Sequence, residues 1–571
     1  MVDLRVALIS LISIGLAMVA ALIAEGLIHL IGLITNISFY GRFKFDFVSP
    51  AHHQLGLFVI VVPMIGGLIV GLMARWGSEG VRGHGIPEAM EQVLLHQSRI
   101  PKRLTFLKPL SAAIAIGTGG PFGAEGPIIA TGGALGSLIG QIMPTTSAER
   151  KTLLAAGAAA GMAATFGAPV AAVLIAIELL LFEYRARSIV PVALASATAT
   201  GVRWAFAGTA PIFQMPNLSQ PTGLALALYI IIGAIAGVAS VIATRAVYAV
   251  EDAFSRSSLH WTWWPMVGAI AVGIAGYFYP RALGVGYDNI SDILSHRLAA
   301  QALVALALWK FIAWTISLGS GTSGGTLAPL FIMGGAFGAA LGALAGRVLP
   351  GAHIDLRIAG LVGMAAMFTG ASRALLTSVV FAFETTLQPI GLLPLLGGCA
   401  ASFLISSLLM RNTIMTEKIV RRGVRVPAEY GADFLDQVLV REVASTSLTT
   451  LRADQTIGEV RNWIASYAPG SAHQGFPVIE NGGRLRGVVT RRALLDPNLP
   501  DDTQLGTLLK RPPIIVYADN TLRDAADHMV NHDVGRLPVV DRQSRQVIAM
   551  VTRSDLLGAH RKRLQEETKR S

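Results

Sequence analysis

Of 571 residues, 53% are hydrophobic and only 14% are charged, against about 25% charged in an ordinary soluble domain. With a mean hydropathy of +0.56, the chain has more apolar surface than one folded core can hide, which excludes a water-soluble globular protein. The net charge of +11 reads as loops and a tail facing anionic lipid on the cytosolic side, not as a nucleic-acid surface.

The first apolar stretch, 6–33, is too long for a signal peptide and lacks a small-residue cleavage site, so it reads as a retained helix. Further apolar stretches lie at 55–73, 224–243, 266–278 and 391–410, where a membrane span needs about 20 residues. The one cysteine, Cys399, sits inside such a run, so disulfides contribute nothing. The texture changes after Met410. Arg421, Arg422 and Arg425 cluster, and short β-type runs at 476–479, 487–490, 514–517, 537–540 and 548–552 then alternate with helical segments. The expected organisation is a membrane domain over 1–420, a linker over 421–436, and two soluble motifs over 437–498 and 505–560.

Each part repeats itself. The run 117–127 (GTGGPFGAEGP) aligns with 319–329 (GSGTSGGTLAP), and nine of 24 positions are identical as far as Gly140 and Gly342. The same offset pairs 161–166 (GMAATF) with 363–368 (GMAAMF), which predicts a duplication with one constant offset. Duplicated transporters place their sites between the halves. In the soluble part, 453–456 (ADQT) recurs as 518–521 (ADNT), and 488–490 (VVT) as 550–552 (MVT).

Three Gly-rich breaks punctuate the apolar sequence: 83–88 (GHGIPE), 123–127 (GAEGP) and 324–329 (GGTLAP). Each ends in a proline suited to the first turn of a helix. Non-helical backbone at membrane depth leaves N–H groups that hydrocarbon cannot satisfy, so it is tolerated only where it lines a cavity or binds something. A helix start offers free N–H donors and about half a positive charge. Several converging starts would hold a dehydrated anion and still release it, where a buried formal cation would trap it. The plainer alternative is that the glycines only allow close packing. Gly132, Gly136, Gly140 and Gly334, Gly338, Gly342 do recur at that four-residue spacing.

With these motifs, and with 157–169 (GAAAGMAATFGAP), the sequence resembles the CLC chloride channel and transporter family over essentially its whole length. The family patterns GSGIP, GREGP and GIFAP match the three breaks. The resemblance implies an all-α polytopic membrane protein with two inverted repeats and broken helices, followed by a cytosolic α/β pair of CBS modules. It also implies a homodimer with one pore per subunit, embedded in lipid in the cell (inner) membrane, with both termini cytosolic.

Glu125 is a lone intramembrane acid, which by default is functional; the alternative is a carboxylate capping a helix at the membrane surface. In the resembled family the matching glutamate is the gate, an anion competing for the same donors. The resemblance places anion binding at His84, Gly85 and Ile86, at Ala124, Glu125 and Gly126, at Thr326 and Leu327, and at Met415. Ala124 stands where the family often has a basic residue, and Thr326 and Leu327 where it has Ile and Phe, positions that bind through backbone amides; three further departures are more serious. His84 replaces a serine hydroxyl and Met415 a tyrosine hydroxyl, so both expected side-chain donors are gone. The His84 imidazole could donate instead, or turn aside and leave binding to backbone amides. Leu179, after Glu178, stands where proton-coupled members carry a glutamate, which favours a channel or a weakly coupled transporter; Glu183 could substitute, or be an interfacial charge. Glu25, Lys310, Arg373 and Glu384 read as paired with one another or lying near interfaces.

CBS pairs often bind adenine nucleotides through a Thr-x-x-Asp sequence. The second copy has Thr552 and Asp555; the first has Thr490 but Ala493 in place of the acid. One nucleotide site is expected, or a purely structural pair, and no cofactor is required for transport. The basic end (Arg561, Lys562, Arg563, Lys569, Arg570) reads as solvated or lipid-facing. Competing functions are a strict chloride/proton antiporter and a membrane-embedded nucleotide sensor without transport. A divalent-cation transporter would need rings of intramembrane carboxylates, and no nucleophile–base or metal-ligand pattern suggests an enzyme.

Overall fold

The computed structural model describes residues 4–215, 218–424, 426, 435, 438–480, 482–509 and 511–568, with side chains as far as Arg561. Lys569, Arg570, the side chains of Lys562 and Arg563, most of the expected linker (Arg425, 427–434 and 436) and residue 437 at the start of the first soluble motif lie outside the described residues. The chain forms two compact units, Met1–Tyr430 and Gly431–Ser571.

The first unit is helical. Among the described residues, seven helices are long and apolar enough to cross a membrane: Leu4–Tyr40, Gly56–Trp76, Ala186–Ala207, Gly223–Arg256, Ala300–Gly319, Leu327–Val348 and Pro389–Leu409. Shorter apolar helices lie among them, including Leu104–Gly117, Leu356–Ser372 and Leu375–Thr386. Helices of such length and composition bury their own backbone groups, as a lipid solvent requires.

The duplication is visible in the packing. Helix Glu125–Ile142 packs along Ser147–Phe166, and Leu327–Val348 packs along Leu356–Ser372. Glycines make both contacts close. A β-carbon added to Gly132 would lie 2.1 Å from the Gly157 carbonyl oxygen, and one on Gly334 would lie 2.4 Å from that of Gly363. The expected constant offset is wrong for the second motif. The counterpart of Gly363 is Gly157, not Gly161, because Leu327–Val348 has 22 residues and Glu125–Ile142 has 18. One extra helical turn shifts everything after it. Gly167 and Arg373 then correspond, and both terminate their helices with φ of +60°.

A second repeated device follows. Glu178, in the π-helical turn Ala176–Leu181, accepts hydrogen bonds from the amides of Leu376 and Thr377 (both 3.1 Å) and from the Thr377 hydroxyl (2.5 Å). Glu384 accepts from the amides of Val170 (3.0 Å) and Ala171 (2.8 Å). Each glutamate thus caps the start of the helix that carries the other, satisfying donors a helix leaves free. Among the described residues Glu384 therefore meets amides and no cation. Arg373 likewise meets no carboxylate among them: it donates to the carbonyls of Met410 and Arg411.

The second unit holds two copies of one motif. Leu451–Arg452 pairs parallel with Gly475–Ile479, which pairs antiparallel with Leu485–Thr490. Val516–Tyr517, Arg536–Val540 and Val547–Thr552 repeat that order. The repeated threonines Thr456 and Thr521 cap helices Ile457–Ala465 and Leu522–Asn531, each in a reciprocal capping box.

The glycine contacts set a stability prediction. Gly132→Ala loses about 1–3 kcal/mol through overpacking. Gly26→Ala, whose new methyl meets nothing within 4 Å, stays neutral or gains up to about 1 kcal/mol in helix propensity. Thermal unfolding of the detergent-purified protein measures both.

Candidate functional site

The three sequence breaks meet. Gly123 and Gly325 exchange backbone hydrogen bonds, N–H to O=C at 3.2 and 3.0 Å, and Gly83 forms a parallel bridge with Ser323. A β-carbon on Gly126 would lie 2.2 Å from the His84 carbonyl oxygen and 2.8 Å from the Gly325 Cα. One on Gly85, whose φ is +96°, would lie 2.4 Å from the Gly126 oxygen. These backbones touch because no side chain intervenes. The helices that leave the junction are Ile86–Leu95, Glu125–Ile142 and Leu327–Val348, so three helix starts share one place.

The expected site residues His84, Gly85, Ile86, Ala124, Glu125, Gly126, Thr326, Leu327 and Met415 are all buried. Glu125 is completely so. Its carboxylate tucks against the junction: Oε2 would lie 1.6 Å from a β-carbon on Gly123 and 3.2 Å from one on Gly325. The amide of Ala328, in the first turn of Leu327–Val348, faces it. Oε1 accepts the Tyr287 hydroxyl at 2.9 Å, while Oε2 has no hydrogen-bond partner within bonding distance.

His84 is buried, and its Nδ1 has no partner. Its ring faces the Ile414 backbone, which brings the segment holding Met415 to this break. Met415 adds no polar side-chain group. The nearby hydroxyl belongs to Tyr248, which donates to the Ile414 carbonyl at 2.9 Å. Leu179 is buried in the π-helical turn and offers nothing that holds a proton. Glu183 bonds the Ser188 hydroxyl at 2.6 Å and pairs with Lys151 at 3.6 Å.

A fourth glycine break escaped the sequence reading. Gly284 and Gly286, with φ of +64° and +80°, precede helix Tyr287–Leu294 as Gly83 and Gly85 precede Ile86–Leu95. Two buried lysines hold these loops in the same way. Lys108 Nζ donates to the Val81 and Gly83 carbonyls, both at 2.8 Å. Lys310 Nζ donates to those of Ala282 (3.1 Å) and Gly284 (2.7 Å). Lys310 is thus not interfacial but fully buried, and among the described residues its partners are carbonyls instead of a carboxylate. The repeat itself carried the signal, since Lys108 and Lys310 are separated by the offset of the glycine motifs.

A cleft of about 500 Å³ opens onto Gly85 and Ala130, with Arg82, Glu88, Lys108 and Lys418 on its walls. Its charges are mixed: Glu88 pairs with Lys418 at 3.4 Å and accepts the Gly85 amide at 2.7 Å.

In the second unit, a cleft of about 440 Å³ is lined by Ser445, His473, Arg536, Thr552, Arg553 and Ser554 among others. Thr552 faces this cleft. The Asp555 carboxylate instead turns back on Thr552, accepting its amide at 2.7 Å and its hydroxyl at 2.8 Å.

Comparison with known proteins agrees with this architecture. Residues 65–407 match the family model described as "Voltage gated chloride channel", and 440–497 and 505–562 each match the CBS domain. The chain is 32% identical to chloride channel protein CLC-f of Arabidopsis thaliana, over 88% of this chain and 72% of that protein. It is 30% identical to the H+/Cl− exchange transporter ClcA of Vibrio parahaemolyticus, over 61% and 76%. In fold it is similar to a slow cyanobacterial Cl−/H+ antiporter (TM-score 0.65, 21% identity, covering 74% and 99%) and to a eukaryotic CLC transporter (0.60, 22%, 96% and 97%). The chain therefore belongs to the voltage gated chloride channel (CLC) family, as an integral multi-pass membrane protein with two C-terminal CBS domains.

Proposed function

We propose that the protein passes chloride, or a similar small anion, across the cell (inner) membrane through the junction of helix starts, with Glu125 as its gate. One observation carries this reading: a carboxylate occupies the place where three helix starts and their amides converge. Held there it is itself the bound anion, and the path is shut. Protonated, it is neutral and no longer competes for N–H donors, so an incoming anion displaces it. The backbone amides at Ile86, Gly126, Thr326 and Leu327 then do the binding, which makes the loss of hydroxyls at His84 and Met415 tolerable. The unpartnered Nδ1 of His84 supports an imidazole contribution at this site.

Leu179 supports a channel or weakly coupled transporter, because an alkyl side chain cannot relay a proton. A strict chloride/proton antiporter is the second reading, favoured by the relatives named as H+/Cl− exchange transporters. We read the chain as a transporter and not as an enzyme. It assembles as a homodimer in this reading, with both termini cytosolic. Exposed Val170, Leu194, Leu376 and Leu396, on helices that include the two capped by the glutamates, supply an apolar face for that contact. The CBS pair regulates flux by binding an adenine nucleotide in the cleft at Thr552, with Asp555 fixing that threonine and Arg536 and Arg553 facing the phosphates.

Purified protein in liposomes tests the gate. Chloride efflux rises as pH falls, and Glu125→Gln raises flux at neutral pH and abolishes the acid response. Unchanged flux and pH response in Glu125→Gln would refute the assignment. Chloride-driven uphill proton movement would establish the antiporter in place of the channel. Calorimetric titration of the full chain with ATP tests regulation: binding is expected, weakened about tenfold by Asp555→Asn, the worth of one hydrogen bond to a charged group. No heat with the native chain would leave the CBS pair purely structural.

A further inference from the structure

We propose that the Tyr287 hydroxyl is an anion-binding donor at the junction, shared in turn by the Glu125 carboxylate and the permeating anion. This rests on the reading of Glu125 as the gate.

The backbone aims this hydroxyl. Tyr287 is the first residue of its helix, placed by the Gly284–Gly286 loop whose carbonyls Lys310 grips. In the first half of the chain the corresponding position is Ile86, which has no polar atom to offer. The ring is walled in by Phe47, stacked at 6.0 Å, by Phe166, edge-on at 5.9 Å, and by Phe213 at 6.2 Å. These contacts leave the phenol little room to swing, so its oxygen stays at the junction whether or not the carboxylate does.

The donor count makes the hydroxyl matter. Tyr287 gives the one side-chain hydrogen bond that Glu125 receives among the described residues, and Oε2 has none. If the carboxylate swings out, the buried O–H loses the acceptor for its proton, which is costly. An anion arriving in the vacated space restores that bond. A phenol donates to a halide as it does to a carboxylate, and hydrogen bonds to ions are among the stronger ones. At His84 and Met415 the chain has no hydroxyl, so Tyr287 is the hydroxyl that the structure does bring to Glu125.

The test uses opposite signs in two backgrounds of the full-length protein. In Glu125→Ala, where the hydroxyl is free to meet an anion, adding Tyr287→Phe weakens bromide binding by about threefold to tenfold in calorimetry. With Glu125 intact, Tyr287→Phe removes a donor from the closed state and raises chloride flux at neutral pH. A change that merely disturbed packing would lower both. Incorporating 3-fluorotyrosine at 287 keeps the ring's shape and sharpens the donor; it tightens bromide binding in Glu125→Ala and keeps the question decidable if the phenylalanine variant fails to fold. Unaltered bromide affinity, or reduced flux in the single variant, overturns the proposal. If Glu125→Ala binds no bromide at all, the gate reading falls and takes this inference with it. If it binds bromide regardless of residue 287, only this inference falls.

Discussion

Amide groups at the start of a helix must find an acceptor, and inside a bilayer hydrocarbon supplies none. That constraint organises the membrane unit. Where two helix starts can be capped, the chain caps them with Glu178 and Glu384, each reaching across to the other's helix. Where three starts converge, it provides one carboxylate, Glu125, with one oxygen left unpartnered. The first arrangement is closed, because each start is capped by a carboxylate that its own partner helix holds. In the second the carboxylate is itself the anion at the helix starts, and a small anion can take its place only when it leaves.

The duplication explains why such a junction can exist. Gly123 and Gly325 occupy matching places in the two halves, and they bond to each other's backbone. Two copies of one broken helix, facing each other, bring two dipole ends to the same spot without any long-range coordination of unrelated segments. The lysines obey the same economy. Lys108 and Lys310 are buried charges that would be costly alone, and each is satisfied by two loop carbonyls. They tie down the loops that aim the helix starts.

Much of this was legible in the sequence. A proline after a glycine cluster announces a helix start, and three such clusters in apolar surroundings pointed to a shared site. The soluble strands were legible from β-branched runs, although the two-residue strand Leu451–Arg452 was too short to register. The rest was hidden for physical reasons. The Gly284–Tyr287 break has no proline, so its helix start looked like an ordinary turn. The extra turn in Leu327–Val348 could not be seen, since small-residue runs align almost equally well at a four-residue slip. Lys310, Arg373 and Glu384 were expected to be paired or interfacial because charges in apolar sequence invite that reading. Carbonyl and amide partners are invisible in a list of side chains. For the same reason Met415 drew attention to a missing hydroxyl, while Tyr287, far away in sequence, carried the one that reaches Glu125.

Bromide-soaked crystals of the Glu125→Ala protein, measured at the bromine absorption edge, examine the central claim directly. The account predicts an anomalous peak at the junction, within hydrogen-bonding distance of amides from at least two of the helix starts at Ile86, Glu125 and Leu327. Bromide found only in the charged cleft by Lys418, with the junction empty, would contradict it.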